Sequence, residues 1–183
     1  MSLQFALLGF LNYQPMTGYE LKQFMDVSTS NFWHAKQSQI YITLKKLEED
    51  GLVVSTVEAQ DGRPDRRIYT ITETGQTALQ EWLLDPITDL QPKKELLMLK
   101  LFFSARVERQ VVLAQLYLQR QLHQQQAEIY RTATKAVIQQ FAAYAGDGQD
   151  PLFWDAARRY GQLYEEMTVQ WLDETIALLE AAD

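Results

Sequence analysis

The sequence contains no cysteine among its 183 residues and only two histidines, His34 and His123. The absence of thiols excludes a disulfide scaffold and a thiolate metal site, and a reducing compartment is then the simplest setting. Two histidines far apart in sequence do not predict a metal centre. The glycine-rich phosphate loops and the serine-nucleophile motif are absent as well. We therefore expect no enzyme, no cofactor and no metal.

Long apolar runs are equally scarce. The apolar stretch at residues 3–11 is far shorter than the roughly 20 residues that span a bilayer. It also lacks the basic start and the small-residue cleavage site of a signal peptide. With 46% hydrophobic and 22% charged residues, the composition is that of a folded chain. These features predict a soluble, cytoplasmic protein with no membrane partner.

The first half of the chain alternates turn signals with short amphipathic segments. Its pattern predicts three helices, at residues 3–13, at 17–27 and from Lys36 or Ser38 to residue 50. A β-hairpin is predicted from strands at 52–57 and 68–71, followed by a fourth helix at 72–84. Thr17 and Glu20 stand in the capping-box relation, and Gly51 occupies the position of a helix-ending glycine. This order predicts a winged helix-turn-helix domain over residues 1–86, with the third helix as its recognition helix.

The second half has a helical pattern only. We expect helices at residues 93–104, 107–145 and 152–179, with a turn at 146–151. The middle helix contains no glycine or proline, so it is predicted to run unbroken for roughly 58 Å. Its apolar stripe comprises Val111, Ala114, Leu118, Leu122, Ile129, Ala133, Val137, Phe141 and Tyr144.

Helices this long cannot bury their apolar stripes on the small first domain. We therefore expect residues 87–183 to form long antiparallel helices that serve as a dimerisation domain, in a chain that is mostly α with a small β-hairpin. The alternative is a closed intramolecular bundle. The predicted dimer face on the last helix comprises Phe153, Tyr160, Tyr164, Met167 and Trp171.

The net charge of −7 speaks against simple charge-driven binding of nucleic acid, but affinity depends on the charges that face the phosphates. The third helix and its approach are basic, and so is the hairpin turn, in a first half that is acidic elsewhere. This distribution predicts a DNA face. Each side chain taken singly also suits a solvated or helix-dipole role. The predicted face comprises Lys36, Gln37, Ser38, Gln39, Tyr41, Thr43, Lys45 and Lys46 with Arg63, Arg66 and Arg67.

Several segments together resemble one known family. MTGYEL at 16–21, QIY at 39–41, LKKLEEDGL at 44–52, RRIYTIT at 66–72 and Gly75 are similar to PadR-type transcriptional regulators, and residues 97–103 with the Trp171 region resemble the helical C-terminal domain of the longer members. The resemblance implies a winged-helix repressor, dimeric through its C-terminal helices, on a palindromic operator in double-stranded DNA. It places Tyr19, Ser38, Gln39 and Tyr41 at or near the DNA. It also implies small aromatic effectors, phenolic acids among them.

Aromatic residues are the one notable excess. Phe32, Trp33, Trp82, Phe102, Phe103 and Trp154 are candidates for an apolar effector pocket, and the alternative is ordinary core and dimer packing. The carboxylate pair Glu165 and Glu166 is expected to be solvated on a helix.

The resulting hypothesis is a sequence-specific, dimeric DNA-binding repressor that a small aromatic effector releases from its operator. The alternative is a protein-interaction adaptor that uses a winged helix without binding DNA. The net acidic charge favours the adaptor, whereas the clustered lysines and arginines favour DNA.

Overall fold

The computed structural model describes residues 2–29, 32–59, 65–90, 93–142 and 148–182. The chain divides into two compact units, Met1–Leu90 and Gln91–Asp183. Across the described residues, no helix combines the length and the apolar character that a membrane crossing requires.

The first unit holds four helices and a three-stranded antiparallel sheet. The order of its elements confirms the predicted helices and hairpin, with helix ends within two residues of expectation. The elements are α1 (Ser2–Leu11), β1 (Met16–Thr17), α2 (Gly18–Ser28), α3 (Gln37–Glu49), β2 (Val53–Glu58), β3 (Arg66–Ile71) and α4 (Glu73–Leu84).

Side-chain caps set the helix ends where the sequence predicted them. The Thr17 hydroxyl accepts the Glu20 N–H at 3.2 Å, and the Glu20 carboxylate accepts the Thr17 N–H at 2.7 Å, which completes the capping box of α2. Gly51 follows α3 with φ of 71°, a left-handed conformation that favours glycine. Thr72 caps α4 by accepting the Gly75 N–H at 3.0 Å.

The core of the first unit forms where α1, α2 and α3 pack against the sheet. On α3 it takes Ile40, Leu44 and Leu47, whose spacing of four and three residues places them on one face of the helix. The other fully buried side chains of this core are Leu7, Leu8, Leu11, Leu21, Met25 and Val53. Because Ile40, Leu44 and Leu47 are buried, the opposite side of α3 is oriented toward solvent.

Strand β1 was not predicted from the sequence. It has only two residues, Met16 and Thr17, which pair with Tyr69 and Ile68 of β3, so that the strand order is β1-β3-β2. A segment this short carries no alternating pattern of its own. Its pairing holds the start of α2 beside the hairpin, which positions the first turn of α2 near β3.

All regular elements in the described part of the second unit are helical. The predicted helix at residues 93–104 is shorter than expected, and the last helix begins at Asp150 rather than at residue 152. Pro151 lies in its first turn, where a proline costs no hydrogen bond. The elements are α5 (Leu96–Phe102), a 3₁₀ turn (Ser104–Arg106), α6 (Arg109–Ile129), a π-helical turn (Tyr130–Thr134), α7 (Lys135–Ala142) and α8 (Asp150–Ala181).

Helices α6 and α8 pack antiparallel, as predicted. Tyr117 on α6 donates to Glu180 at 2.7 Å, and further along α6, His123 contacts Glu165. The partner number on α8 falls as the α6 number rises, which fixes the direction. Their shared core is Val112, Leu116, Leu172 and Ile176.

The helix predicted over residues 107–145 begins at Arg109 and continues through the described residues to Ala142, but its hydrogen bonding changes to a π-helical turn at Tyr130–Thr134. The guanidinium of Arg158 on α8 donates to the Tyr130 carbonyl at 3.1 Å, which satisfies a group at the wider turn. No glycine or proline marks this turn in the sequence, and Arg158 lies 28 residues away from Tyr130.

The part of the predicted apolar stripe that lies on α6 is largely exposed, whereas Val137 and Phe141 on α7 are half-buried. Val111, Leu118, Leu122 and Ile129 are each 45–56% exposed, and Val112 and Leu116 are buried instead. Tyr144 lies outside the described residues. The helix therefore has two apolar faces, and the periodicity alone did not show which of them packs within the chain.

Candidate nucleic-acid interface

The outer face of α3 is exposed, and apart from Ile42, which is 71% exposed, it is polar. Gln37, Ser38, Gln39, Lys45 and Lys46 all lie on the solvent side, because Ile40, Leu44 and Leu47 hold the opposite side in the core. Lys36 is exposed immediately before the helix. This surface is the predicted recognition face, and its side chains include amides and a hydroxyl that can read base edges as well as cations for phosphates.

Gln39 has a second task that the sequence analysis missed. Its Oε1 accepts the Lys36 N–H at 2.9 Å and so closes the first turn of α3. A backbone N–H can only donate, so this contact assigns the oxygen to the helix and leaves the Nε2 donors of Gln39 outward. Thr43 is half-buried and donates its hydroxyl to the Gln39 carbonyl at 2.7 Å. Thr43 is thus engaged with its own helix.

Tyr41 and Tyr19 flank the start of α2. The Tyr41 ring lies directly against Gly18, where a Cβ would come within 2.6 Å of the ring Cε1. Tyr41 is 43% exposed and Tyr19 is 57% exposed, and the Tyr19 hydroxyl accepts a hydrogen bond from Gln23 at 3.1 Å. A tyrosine hydroxyl is one of the side-chain groups that donate to phosphates in protein–DNA complexes.

The two described wing arginines are paired with carboxylates. Arg66 donates to Glu20 of α2, and Arg67 donates to Glu48 of α3 at 2.7 Å. The sequence analysis placed these arginines in the basic DNA face and did not identify Glu20 and Glu48 as their partners. The capping box marked Glu20, but no local pattern connects either acid to the hairpin. Arg63 lies outside the described residues.

An open groove of about 510 Å³ runs between the start of α2 and β3. Its walls bring together the two tyrosines, the capping box and the wing arginines. The lining residues are Thr17, Gly18, Tyr19, Glu20, Tyr41, Asp65, Arg66 and Arg67.

The candidate effector residues have different surroundings. Trp82 of α4 stacks on Phe5 of α1 with ring centroids 4.8 Å apart, which is packing within the first unit. Phe32 and Trp33 are exposed beside α3. In the second unit, Trp154 is half-buried, and Phe102 and Phe103 are exposed and meet edge to face. Phe103 also lines an open groove of about 370 Å³ with Leu99, Val107 and Val112.

The predicted dimer face on α8 is largely open in a single chain. Phe153 is 65% exposed, Tyr160 56% and Met167 55%, whereas Tyr164 and Trp171 are half-buried. Trp171 packs against the core between α6 and α8.

The two tyrosines of that face also bind the segment before α5. Lys93 donates to the Tyr160 hydroxyl at 3.1 Å and lies 4.6 Å from the centroid of the Tyr164 ring. The Tyr164 hydroxyl donates to Glu95 at 2.9 Å. Burial and this carboxylate raise the pKa of Tyr164 to about 12.

The expectation that Glu165 and Glu166 are solvated was wrong for Glu165, whereas the Glu166 side chain is 36% exposed. Glu165 is 12% exposed and contacts His123, and Glu166 accepts from Gln162 at 2.7 Å and from Arg131 at 3.0 Å. Both acids belong to the polar contacts between α8 and the helices packed on it. In the described part of the chain, no group of three or more His, Cys, Asp or Glu residues is arranged to hold a metal.

Comparison with known families gives two matches that follow each other along the chain. Residues 7–81 match the transcriptional regulator PadR-like family, and residues 93–180 match the virulence activator alpha C-terminal family. The negative transcriptional regulator PadR of Bacillus subtilis is 32% identical over 108 residues, which are 59% of this chain and 59% of PadR. The alignments to curated relatives span only 49–59% of the relatives' own length.

Solved structures match over nearly the whole chain. Bacillus subtilis PadR in complex with operator DNA superposes with a TM-score of 0.83 at 24% identity, covering 98% of this chain and 99% of PadR. PadR has also been solved with p-coumaric acid. The Vibrio cholerae virulence activator AphA gives a TM-score of 0.72 at 26% identity, with 98% of both chains covered. The winged-helix architecture with C-terminal helices is thereby confirmed, and the relatives are regulators of transcription rather than enzymes.

Proposed function

The chain belongs to the PadR-like family of transcriptional regulators, and on that premise we propose that it binds DNA sequence-specifically as a homodimeric repressor that a small aromatic effector releases. The observation that carries the DNA-binding part is the outer face of α3, where amide, hydroxyl and lysine side chains are exposed along a helix whose inner face is anchored in the core. Winged helices place such a helix in the major groove.

Each part of this face has its own task in the proposal. Ser38 and the outward donors of Gln39 read base edges, while Lys36, Lys45 and Lys46 hold backbone phosphates. Tyr19, Gln37, Tyr41 and Thr43 complete the surface around the helix, and Arg63, Arg66 and Arg67 belong to the wing. The match to PadR bound to operator DNA supports this orientation at the level of the fold.

The homodimer is supported by the second unit taken by itself. Besides Phe153, Tyr160 and Met167, large apolar side chains of α5 and α6 are also exposed, with Phe102 at 81% and Leu118 at 56%. An apolar surface of this extent on a soluble chain favours a partner. A second copy offers the same stripe in a self-complementary way, so we assign residues 87–183 to dimerisation.

The effector is proposed from the relative solved with p-coumaric acid and from the aromatic residues of this chain. Phe32 and Trp33 are exposed immediately before α3, where a bound aromatic compound would change the setting of the recognition helix. Trp82, Phe102, Phe103 and Trp154 complete the candidate set. Because binding free energies are reciprocal, an effector that weakens DNA binding must itself bind less tightly to the DNA complex.

The test begins by selecting duplexes from a randomised pool on the purified protein. The selected duplex is then compared with a scrambled one by fluorescence anisotropy at two salt concentrations. Lys46→Ala should weaken both complexes and reduce the salt slope by about 0.9. Lys135→Ala, which removes the same charge from α7 of the second unit, should leave the slope unchanged. Failure to enrich any sequence would overturn the proposal in favour of the protein-interaction adaptor.

A further inference from the structure

Both described wing arginines are neutralised by acids that come from helices. Arg66 is paired with Glu20, 46 residues away, and Arg67 with Glu48, 19 residues away. The basic face predicted from the sequence therefore has two of its cations balanced by carboxylates on the same surface. This arrangement reduces the charge that the surface offers to any phosphate.

Arg67 is held by a closed set of contacts, which we call the Arg67 clamp (Arg67, Glu48, Ser55 and Tyr69). Its Nη2 donates to Glu48 Oε2 at 2.7 Å, and its Nε donates to Ser55 Oγ at 2.8 Å. Ser55 in turn donates to Glu48 Oε1 at 2.5 Å. The guanidinium also lies 5.6 Å from the centroid of the Tyr69 ring. The Arg67 side chain is 52% exposed, but Glu48 balances its charge, so a phosphate meets the full charge of Arg67 only when the guanidinium leaves this carboxylate.

The charge state of the clamp is secure near neutral pH. The hydrogen bond from Ser55 and the guanidinium of Arg67 hold the pKa of Glu48 below its usual value, against a smaller opposing effect of burial. Glu48 is therefore a carboxylate at neutral pH.

The lysines of the same surface are not held in this way. Lys45 lies 3.7 Å from Glu49, and these side chains are 77% and 63% exposed, so their attraction is weak. Within the described residues, Lys36 and Lys46 make no ion pair at all. Solvated lysines stay available for phosphates, whereas the arginine nearest α3 is withheld from them.

We propose that Glu48 is a specificity determinant, which lowers the affinity for non-cognate DNA by keeping Arg67 away from backbone phosphates. The inference rests on the proposed DNA binding. Non-specific complexes depend almost wholly on phosphate contacts, so one withheld cation weakens them directly. In a selective complex the base contacts of α3 fix the position of the DNA. A released Arg67 then increases the affinity only if a phosphate lies within its reach.

Glu48→Gln is the test, because glutamine keeps a hydrogen-bonding side chain of the same size and loses the charge. Glu20 suits this purpose less well, since it also closes the capping box of α2. Glu49→Gln is the matched control, which removes the same charge one residue further along α3. The double variant Glu48→Gln/Arg67→Gln then shows whether the effect requires Arg67.

Affinity for the scrambled duplex should rise about three- to tenfold in Glu48→Gln, and its salt slope should steepen by about 0.9. Affinity for the selected duplex should rise less, so selectivity falls. The double variant should lose the gain, and Glu49→Gln should show little of it. Equal gains for both duplexes, or equal gains in Glu48→Gln and Glu49→Gln, would overturn the inference.

Retention on immobilised heparin separates this inference from the proposed function, because heparin is a polyanion without sequence. Later elution of Glu48→Gln than of Glu49→Gln supports the clamp even if no duplex is selected. Identical elution of the two variants, with selective duplex binding intact in the unmodified protein, overturns the clamp alone.

Discussion

Replacing Gly18 by alanine tests the placement of Tyr41 without altering any polar group. Gly18 is the first residue of α2, and an added Cβ would stand 2.6 Å from the Tyr41 Cε1 and 2.9 Å from its Cζ. Ordinary contact begins near 3.4 Å, so the ring must move by several tenths of an ångström or more. Tyr41 is 43% exposed, and its ring can therefore turn outward into solvent.

Two opposing effects decide the stability of Gly18→Ala. Alanine stabilises the folded state by about 0.5–1 kcal/mol relative to glycine, because the unfolded chain has a smaller conformational entropy. Displacing a half-open ring costs an amount of the same order, because overpacking costs about 1 kcal/mol or more even where the neighbour can move. The free energy of unfolding should thus change by less than about 1 kcal/mol. DNA affinity should fall about tenfold, the value of one hydrogen bond from the displaced hydroxyl.

Gly9→Ala is the matched control, since nothing lies within 4 Å of its Cβ and it lies in the interior of α1. It should stabilise the protein by about 0.5–1 kcal/mol in urea unfolding and leave DNA affinity unchanged. Tyr41→Phe should reproduce the loss of affinity seen in Gly18→Ala. If Gly18→Ala were as stable as Gly9→Ala and bound the selected duplex normally, the reasoning about Tyr41 would be refuted.

Four further predictions concern both units. Gln39→Glu keeps the acceptor that caps α3 but removes the outward donors, so it should abolish selectivity in the anisotropy assay while the helix content stays unchanged. Met167→Glu should shift the protein toward monomer in sedimentation equilibrium. Arg158→Met should lower the free energy of urea unfolding by about 2 kcal/mol, because it leaves a buried carbonyl and amide without their donor. Tyr164→Phe should remove one phenolate that forms near pH 12 in an absorbance titration.

The substitutions at Met167 and Arg158 have matched controls. Gln80→Glu adds the same charge to an exposed position of α4 in the first unit, and dissociation caused equally by both charges would contradict a specific interface. Arg159→Met removes an exposed arginine beside Arg158 and should cost little. Selective binding by Gln39→Glu would show that its amide donors do not read the bases.

The pH dependence at Tyr164 has a definite sign. Its pKa is raised in the folded chain from the usual 10 to about 12, so its contribution to stability is complete below pH 10 and is lost as the pH rises through 12. Unfolding measured across this alkaline range should show that loss in the unmodified protein and not in Tyr164→Phe. If the phenolate of Tyr164 itself formed near pH 10, this result would contradict the hydrogen bond to Glu95.

The sequence alone was enough to predict the helices of the first unit and the residues near which they begin and end. The capping box of Thr17 and Glu20, the left-handed Gly51 and the cap at Thr72 are contacts within three or four residues, or conformations of a single residue. The periodicity of α3 likewise predicted its outer face, because the same few residues decide which side is buried. The candidate recognition surface could therefore be named from the sequence.

Contacts between residues far apart in sequence were decided only by the tertiary structure. Arg158 reaches the Tyr130 carbonyl at the π-helical turn from another helix, and no local pattern predicts this contact. The pairing of Arg67 with Glu48 arises because the hairpin folds back onto α3. Lys46 and Arg67 were both predicted to belong to the basic face, yet Lys46 is solvated and Arg67 is paired with Glu48. The partner that the fold brings to a charged side chain decides how much of its charge the surface presents.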